Sequence, residues 1–267
     1  MFLTHRVRSR TLGSARSFAT SSFYRASRQA FCLAVDGPAA SGKSTTTRLV
    51  AQRLGLTYID TGGLYRAATL LAQRQHLLPK KGDAAPQELL LSSLEKATFT
   101  LRTSPSQDQG SLPVTRIYID GEDVSHALRT PEITAHVSRL AQIPEVRQVM
   151  LYKQRTMASP SYEETTATGT NGVAMDGRDI GTTVFPNAHL KIFLSADART
   201  RSLRRQAEWG ESGSPEDLEK IYQDIVERDR QDMTRPVSPL RKADDAVEVD
   251  TSTATLIQVV DRIVQEG

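Results

Sequence analysis

Short, continuously apolar runs alternate along the chain with longer stretches whose apolar residues recur at helical spacing. Residues 31–35, FCLAV, are apolar throughout and stop at a Gly-Pro breaker, which predicts a short buried strand. From Ser44, STTTRLVAQRLG places Leu49, Val50 and Leu54 on one face and Gly55 where a helix would end. LTYID predicts a second strand ending at Asp60, and GVAMD (172–176), LKIFL (190–194) and AVEVD (246–250) predict three more, with helical patterns between them. Strand and helix in alternation predict an α/β fold, a parallel sheet with helices on both faces.

More than a hundred residues separate the second of these strands from the third, so an inserted subdomain is expected. Within it, KATFTLR and RIYIDGEDV predict a hairpin of exposed β structure. The stretch TSPSQDQGSLPVT between them, and ASPSYEETTATGTNG further on, are rich in Ser, Thr, Pro and Gly and predict surface loops.

Composition narrows the class. Of the 267 residues 38% are hydrophobic and 24% charged, and no apolar run approaches the ~18 residues of a membrane span, so no membrane association is expected. The net charge of +3 is uneven: residues 1–30 hold six arginines, six serines and no acid. The remaining 28 basic residues face 31 acids, and a mildly acidic body argues against a nucleic-acid groove. The Arg- and Ser-rich leader fits an organellar transit peptide over residues 1–30, with the mitochondrial matrix as the expected address and the cytoplasm as the alternative. One cysteine, Cys32 in the first apolar run, excludes an intramolecular disulfide, and the five histidines show no metal-ligand spacing.

The chemistry begins at DGPAASGKST. Gly37, Gly42, Lys43 and Ser44 satisfy G-x-x-x-x-G-K-[ST] between a predicted strand and a predicted helix, the context that makes this pattern a phosphate cradle. Glycines let backbone N–H groups turn around an anion, and the helix start adds favourable potential. The ATP-binding run is therefore Gly37, Pro38, Ala39, Ala40, Ser41, Gly42, Lys43, Ser44 and Thr45, with Lys43 on the β- and γ-phosphates and the Ser44 hydroxyl on magnesium. Asp176, at a strand end, could hold magnesium through water; a capping or turn role is the equal alternative.

This cradle serves kinases, ATPases and switches alike, so the acceptor must be read elsewhere. Arginines cluster at predicted strand ends and on helices: Arg66 in YIDTGGLYR, Arg178 in MDGRDIG, Arg201, Arg204 and Arg205 in RTRSLRR, and Arg228 and Arg235 in ERDRQDMTR. They suggest a second anion site facing the first. Transfer between two phosphates needs no general base, because the attacking oxygen is already ionised; the obstacle is repulsion between anions, which arginines and magnesium remove.

Taken in order, DGPAASGKST, IDTGGLYR, DGEDVSHALRTPEI, PEVRQVMLYKQR, AMDGRDIGTTVFPNAHLKIFLSAD, RDRQDMTRPVSPL and ADDAVEVDTS resemble the bacterial-type cytidylate kinases over residues 31–267. The resemblance implies an adenylate-kinase-like P-loop fold that moves a phosphoryl group from ATP to CMP or dCMP. It implies a core of residues 31–75 and 172–267, an enlarged NMP-binding subdomain at about 76–171, a lid at about 199–215, and a monomer. By matching position, Thr61, Arg66, Ser138, Arg147, Arg178, Asp179, Arg228, Asp232 and Arg235 would line the monophosphate site. Ser138, Arg147 and Asp179 would read the cytosine edge, Asp232 the sugar, and Arg66, Arg228 and Arg235 the phosphate. Arg178 and the lid arginines Arg201, Arg204 and Arg205 would act in catalysis with Lys43, and spacing does not decide which lid arginine reaches the transferring phosphate. Two loops, near 103–114 and 159–171, look longer than the family's, and Gln231 stands where an arginine is common. A kinase for UMP or AMP, or a non-catalytic nucleotide switch, remains the alternative.

Overall fold

The computed structural model describes residues 30–78, 88–104, 114–159, 171–209 and 215–267. Most of the leader, the longer parts of both surface loops, and residues 210–214 of the expected lid lie outside the described residues.

The expected α/β architecture is present. Strands β1 (Phe31–Asp36), β2 (Thr57–Asp60), β6 (Gly172–Gly177), β7 (Leu190–Ser195) and β8 (Val247–Asp250) form one sheet in the order β2-β6-β1-β7-β8. Every pairing in it is parallel. The chain steps from central β1 to β2 on one side and later crosses to β7 and β8 on the other. The carboxyl end of β1 is thus the switch point where open parallel sheets bind ligands.

Alternation explains why β1 is apolar throughout. Leu33 and Val35 point to one face, where they meet Val50 and Ala51 of α1 (Lys43–Leu54) and Val259, Val260 and Ile263 of α8 (Leu256–Glu266). Ala34 points to the other face and joins Ile59, Met175 and Leu64 of α2 (Thr61–Arg74). Both faces are covered, as a parallel sheet requires. Thr255 and Gln258 form a capping box that starts α8.

The insertion contributes α3 (Glu88–Lys96), β3 (Phe99–Ser104), β4 (Val114–Ile119), β5 (Glu122–Asp123), α4 (Pro131–Leu140) and α5 (Pro144–Met157). β3 and β4 pair antiparallel as expected, but the hairpin is not exposed on both faces. Phe99, Ile117 and Ile119 are buried in the same cluster as α2, because the alternation of FTL and IYI gives the hairpin one apolar face. Leu90, Leu140, Val146 and Met150 belong to that cluster too, so insertion and sheet share one hydrophobic core. The last elements, α6 (Ala198–Trp209) and α7 (Pro215–Thr234), pack together beyond β7.

Candidate active site

The phosphate loop takes the form that its glycines allow. Gly37 has φ +151°, and a Cβ there would lie 2.1 Å from the Leu194 carbonyl oxygen, so only glycine fits. Ala40 adopts φ +57° without being glycine, local strain of the kind found at ligand-binding loops. Gly42 precedes α1 without a side-chain cap, so no protein side chain occupies the first N–H groups of the helix. Lys43 is buried and donates to Pro38 O at 2.5 Å and Ser41 Oγ at 3.4 Å, arching over the loop. Burial pushes its ammonium well below the usual lysine range, and neighbouring Arg178 pushes the same way. The negative charge of a bound triphosphate would oppose both effects.

Behind the loop, Ser44 donates to Asp176 Oδ2 and Tyr58 donates to Asp176 Oδ1, both at 2.7 Å. Burial, and then the neighbouring Asp176, push the Asp60 carboxyl up to about 6. A hydroxyl and a carboxylate beside a phosphate cradle form a hard-oxygen donor set. It suits magnesium, which takes few protein ligands and completes its shell with phosphate and water. Among the described residues no group of three or more His, Cys, Asp or Glu side chains is placed to hold a metal.

A cleft of about 90 Å³ opens beside this point, and all nine residues expected around the acceptor line it: Thr61, Arg66, Ser138, Arg147, Arg178, Asp179, Arg228, Asp232 and Arg235. They come from α2, α4, α5, the turn after β6, and α7 with the residue that follows it, elements far apart in sequence. Thr61 Oγ1 donates to Asp176 O at 2.6 Å, joining the cleft to the metal-fitting pair. The wall also includes Tyr65, whose ring centroid lies 5.6 Å from the Arg147 guanidinium carbon.

The cleft divides by charge. At one end Asp179 accepts from Arg147 and lies 3.3 Å from Arg235, which is also 3.6 Å from Asp232. At the other end the arginines outnumber their counter-charges. Arg178 pairs with Asp232 at 2.8 Å, and Arg66 is held by Leu128 O at 3.1 Å and Thr134 Oγ1 at 2.8 Å. Arg228 Nε is buried with no hydrogen-bond partner. Burial and adjacent Arg178 hold the Arg228 guanidinium down at about 10, and burial and Arg205 lower Arg66. Such a cluster is built to receive an anion. Arg235, grouped by resemblance with Arg66 and Arg228, instead stands between two carboxylates at the Asp179 end.

The three arginines of α6 separate in space. Arg201 donates to Ala39 O at 3.1 Å and Asp229 Oδ2 at 2.5 Å, and Asp229 Oδ1 accepts from Ala39 N, so this pair braces the phosphate loop. Arg204 is bonded to Thr251, whose hydroxyl lies 3.2 Å from Ser41 O. Arg205 pairs with Glu208 at 3.1 Å and acts electrostatically on Arg66 and Arg228. Gln231 bonds Glu227 at 2.8 Å and is not among the residues lining the cleft. Sequence reasoning missed Tyr58, Tyr65 and Asp229 as parts of the site, although Asp229 lies inside the R-D-x-x-D-x-x-R pattern. Cys32 is buried, with its thiol pushed up to about 11, in keeping with a packing role.

Fold and site together define a class: a phosphate-loop phosphotransferase whose acceptor is itself anionic. The family model described as cytidylate kinase matches residues 33–267. A cytidylate kinase of Geobacillus sp. (strain WCH70) is 43% identical over 233 residues, covering 87% of this chain and 94% of the relative. A cytidylate kinase of Geobacillus thermodenitrificans (strain NG80-2) is 44% identical over 234 residues, covering 88% and 95%. Among solved structures, shikimate kinase from Acinetobacter baumannii in complex with shikimate has a TM-score of 0.40 at 12% identity, covering 89% of this chain and 93% of that one. The chain belongs to the cytidylate kinase family.

Proposed function

We propose that the protein transfers the γ-phosphoryl group of ATP to CMP and dCMP. The observation that carries this reading is the convergence of nine separated side chains on one cleft that meets the phosphate loop at Lys43 and Arg178. An ionised oxygen of the monophosphate attacks the γ-phosphorus, its new P–O bond replaces the bond to the β–γ bridging oxygen, and ADP leaves. No proton needs to be removed, which accounts for a cleft lined by arginines with no histidine in its wall.

Lys43 and the first turn of α1 bind the donor phosphates, and Arg66, Arg178 and Arg228 bind the acceptor phosphate. Arg205, which pairs with exposed Glu208 at 3.1 Å, is the α6 arginine that reaches the transferring group; its influence on Arg66 and Arg228 supports this. Ser44 and Asp176 would hold magnesium, which when bound offsets charge on the triphosphate. Asp179, Arg147 and Ser138 read the base, and Asp232 the sugar. The leader is proposed to direct the protein to the mitochondrial matrix, and a fluorescent fusion of residues 1–30 tests that address.

The test of base choice is ADP release by residues 31–267 with ATP, magnesium and CMP, dCMP, UMP or AMP in turn. Turnover confined to the two cytidylates is expected. Preference for UMP or AMP would overturn the roles of Ser138, Arg147 and Asp179.

A further inference from the structure

Asp36 is a buried carboxylate that phosphoryl transfer as described above does not use. It ends β1, one residue before the phosphate loop, yet its side chain bonds neither to the loop glycines nor to Lys43. Its Oδ1 accepts from the Ile180 backbone N–H at 2.8 Å and its Oδ2 from the Gly181 N–H at 2.7 Å. These two groups open the wide turn Ile180–Val184, in which Val184 N–H bonds back five residues to Asp179 O at 3.1 Å and Phe185 N–H to Ile180 O at 2.7 Å. The first N–H groups of such a turn have no partner inside it, and one carboxylate satisfies both. The turn directly continues Arg178 and Asp179, which enter the cleft from opposite ends.

We infer that Asp36 is a positioning residue that fixes the Arg178–Asp179 turn relative to the phosphate loop, so that donor and acceptor sites are held in register. The asymmetry of the supports gives this a testable consequence. The phosphate loop has ties of its own, from Asp229 to Ala39 N, from Arg201 to Ala39 O, from Lys43 to Pro38 O and from Thr251 to Ser41 O. The far end of the turn is held by Arg155 through Thr183 O and Val184 O; at the near end the side chains of Arg178 and Asp179 pair with Asp232 and Arg147, and Asp36 holds the backbone N–H groups. Loss of Asp36 therefore loosens the acceptor side and leaves the donor loop in place.

The inference rests on the cleft being the acceptor site. The experiment compares wild type, Asp36→Asn and Asp36→Ser by CMP kinetics, by ATP binding in titration calorimetry without acceptor, and by thermal melting. Asp36→Asn turns an NH₂ group toward one of the two donors; Asp36→Ser is too short to reach both. Both should raise KM for CMP at least about tenfold and lower kcat, with ATP affinity changed less than about threefold. Equal losses of CMP and ATP binding, or unchanged CMP kinetics, in whichever variant folds would overturn the role of Asp36. If both variants fail to fold, the residue is a stability element and the inference is overturned as well. Wild-type turnover of CMP, measured alongside, reads the acceptor assignment separately: its absence overturns that assignment and not the hydrogen bonds of Asp36.

Discussion

Replacing Arg228 by methionine should stabilise the free protein and weaken acceptor binding at once. Burial and the adjacent Arg178 hold this guanidinium down at about 10, well below the ordinary arginine range. At about 1.4 kcal/mol per pKa unit this is about 3 kcal/mol of disfavour for the charged form. Arg228 is only half-buried and cleft water screens it, so about 1–2 kcal/mol of that survives. The buried Nε without a partner adds about 1 kcal/mol. A depressed arginine destabilises the folded state wherever it stays charged, so the effect should be constant from pH 6 to 8. Methionine keeps much of the stem and removes the charge, and a gain of roughly 2–3 kcal/mol corresponds to about 4–12 °C in Tm for a domain near this size. The same change deletes a charge-assisted bond to the acceptor phosphate, about 1.5–3 kcal/mol, or roughly a 10- to 150-fold rise in KM for CMP. Thermal melting with and without CMP, beside steady-state kinetics, checks both halves. A lower Tm with unchanged KM would refute the reasoning, because it would mean that Arg228 is satisfied by the protein and not reserved for an anion.

The base end of the cleft should respond differently. Asp179→Asn removes the counter-charge of Arg147 and Arg235, so it should destabilise the fold by about 3 kcal/mol and raise KM for CMP far more than KM for ATP; an effect confined to ATP would contradict its placement. Acid should strengthen the fold over a limited window, because burial pushes Asp36 up to about 6 while its unfolded value is 3.8. The native state then takes up the proton first, and stability from this group rises by about 1.3 kcal/mol as pH falls from 7 to 5. Melting curves across that range check it, and the rise should shrink in Asp36→Asn.

The donor half of the site was legible because its residues are contiguous: a strand, a glycine loop and a helix start leave Lys43 and Ser44 little choice of place. The acceptor half was legible only as a resemblance, since Arg66, Ser138, Arg147, Asp179 and Arg235 meet through the packing of α2, α4, α5 and α7, which no local spacing records. Arg201, Arg204 and Arg205 were inseparable in sequence, because residues three and four apart share one face of a helix. Tertiary partners separate them: Asp229 draws in Arg201 and Thr251 holds Arg204. Asp36 stands first in DGPAASGKST, but its partners lie 144 and 145 residues away. The hairpin was misjudged as exposed because its alternation shows an apolar face without showing that α2 lies beneath it.

The central claim is that the cleft and the phosphate loop exchange a phosphoryl group directly. Following the γ-³²P label of ATP in the presence of magnesium and CMP tests it most directly, with Lys43→Met as the control. The account predicts label in the β-position of CDP, little in inorganic phosphate, and at least a hundredfold slower transfer in the control. Label released as inorganic phosphate, or ATP bound and left intact, would contradict it and make the protein a hydrolase or a nucleotide switch.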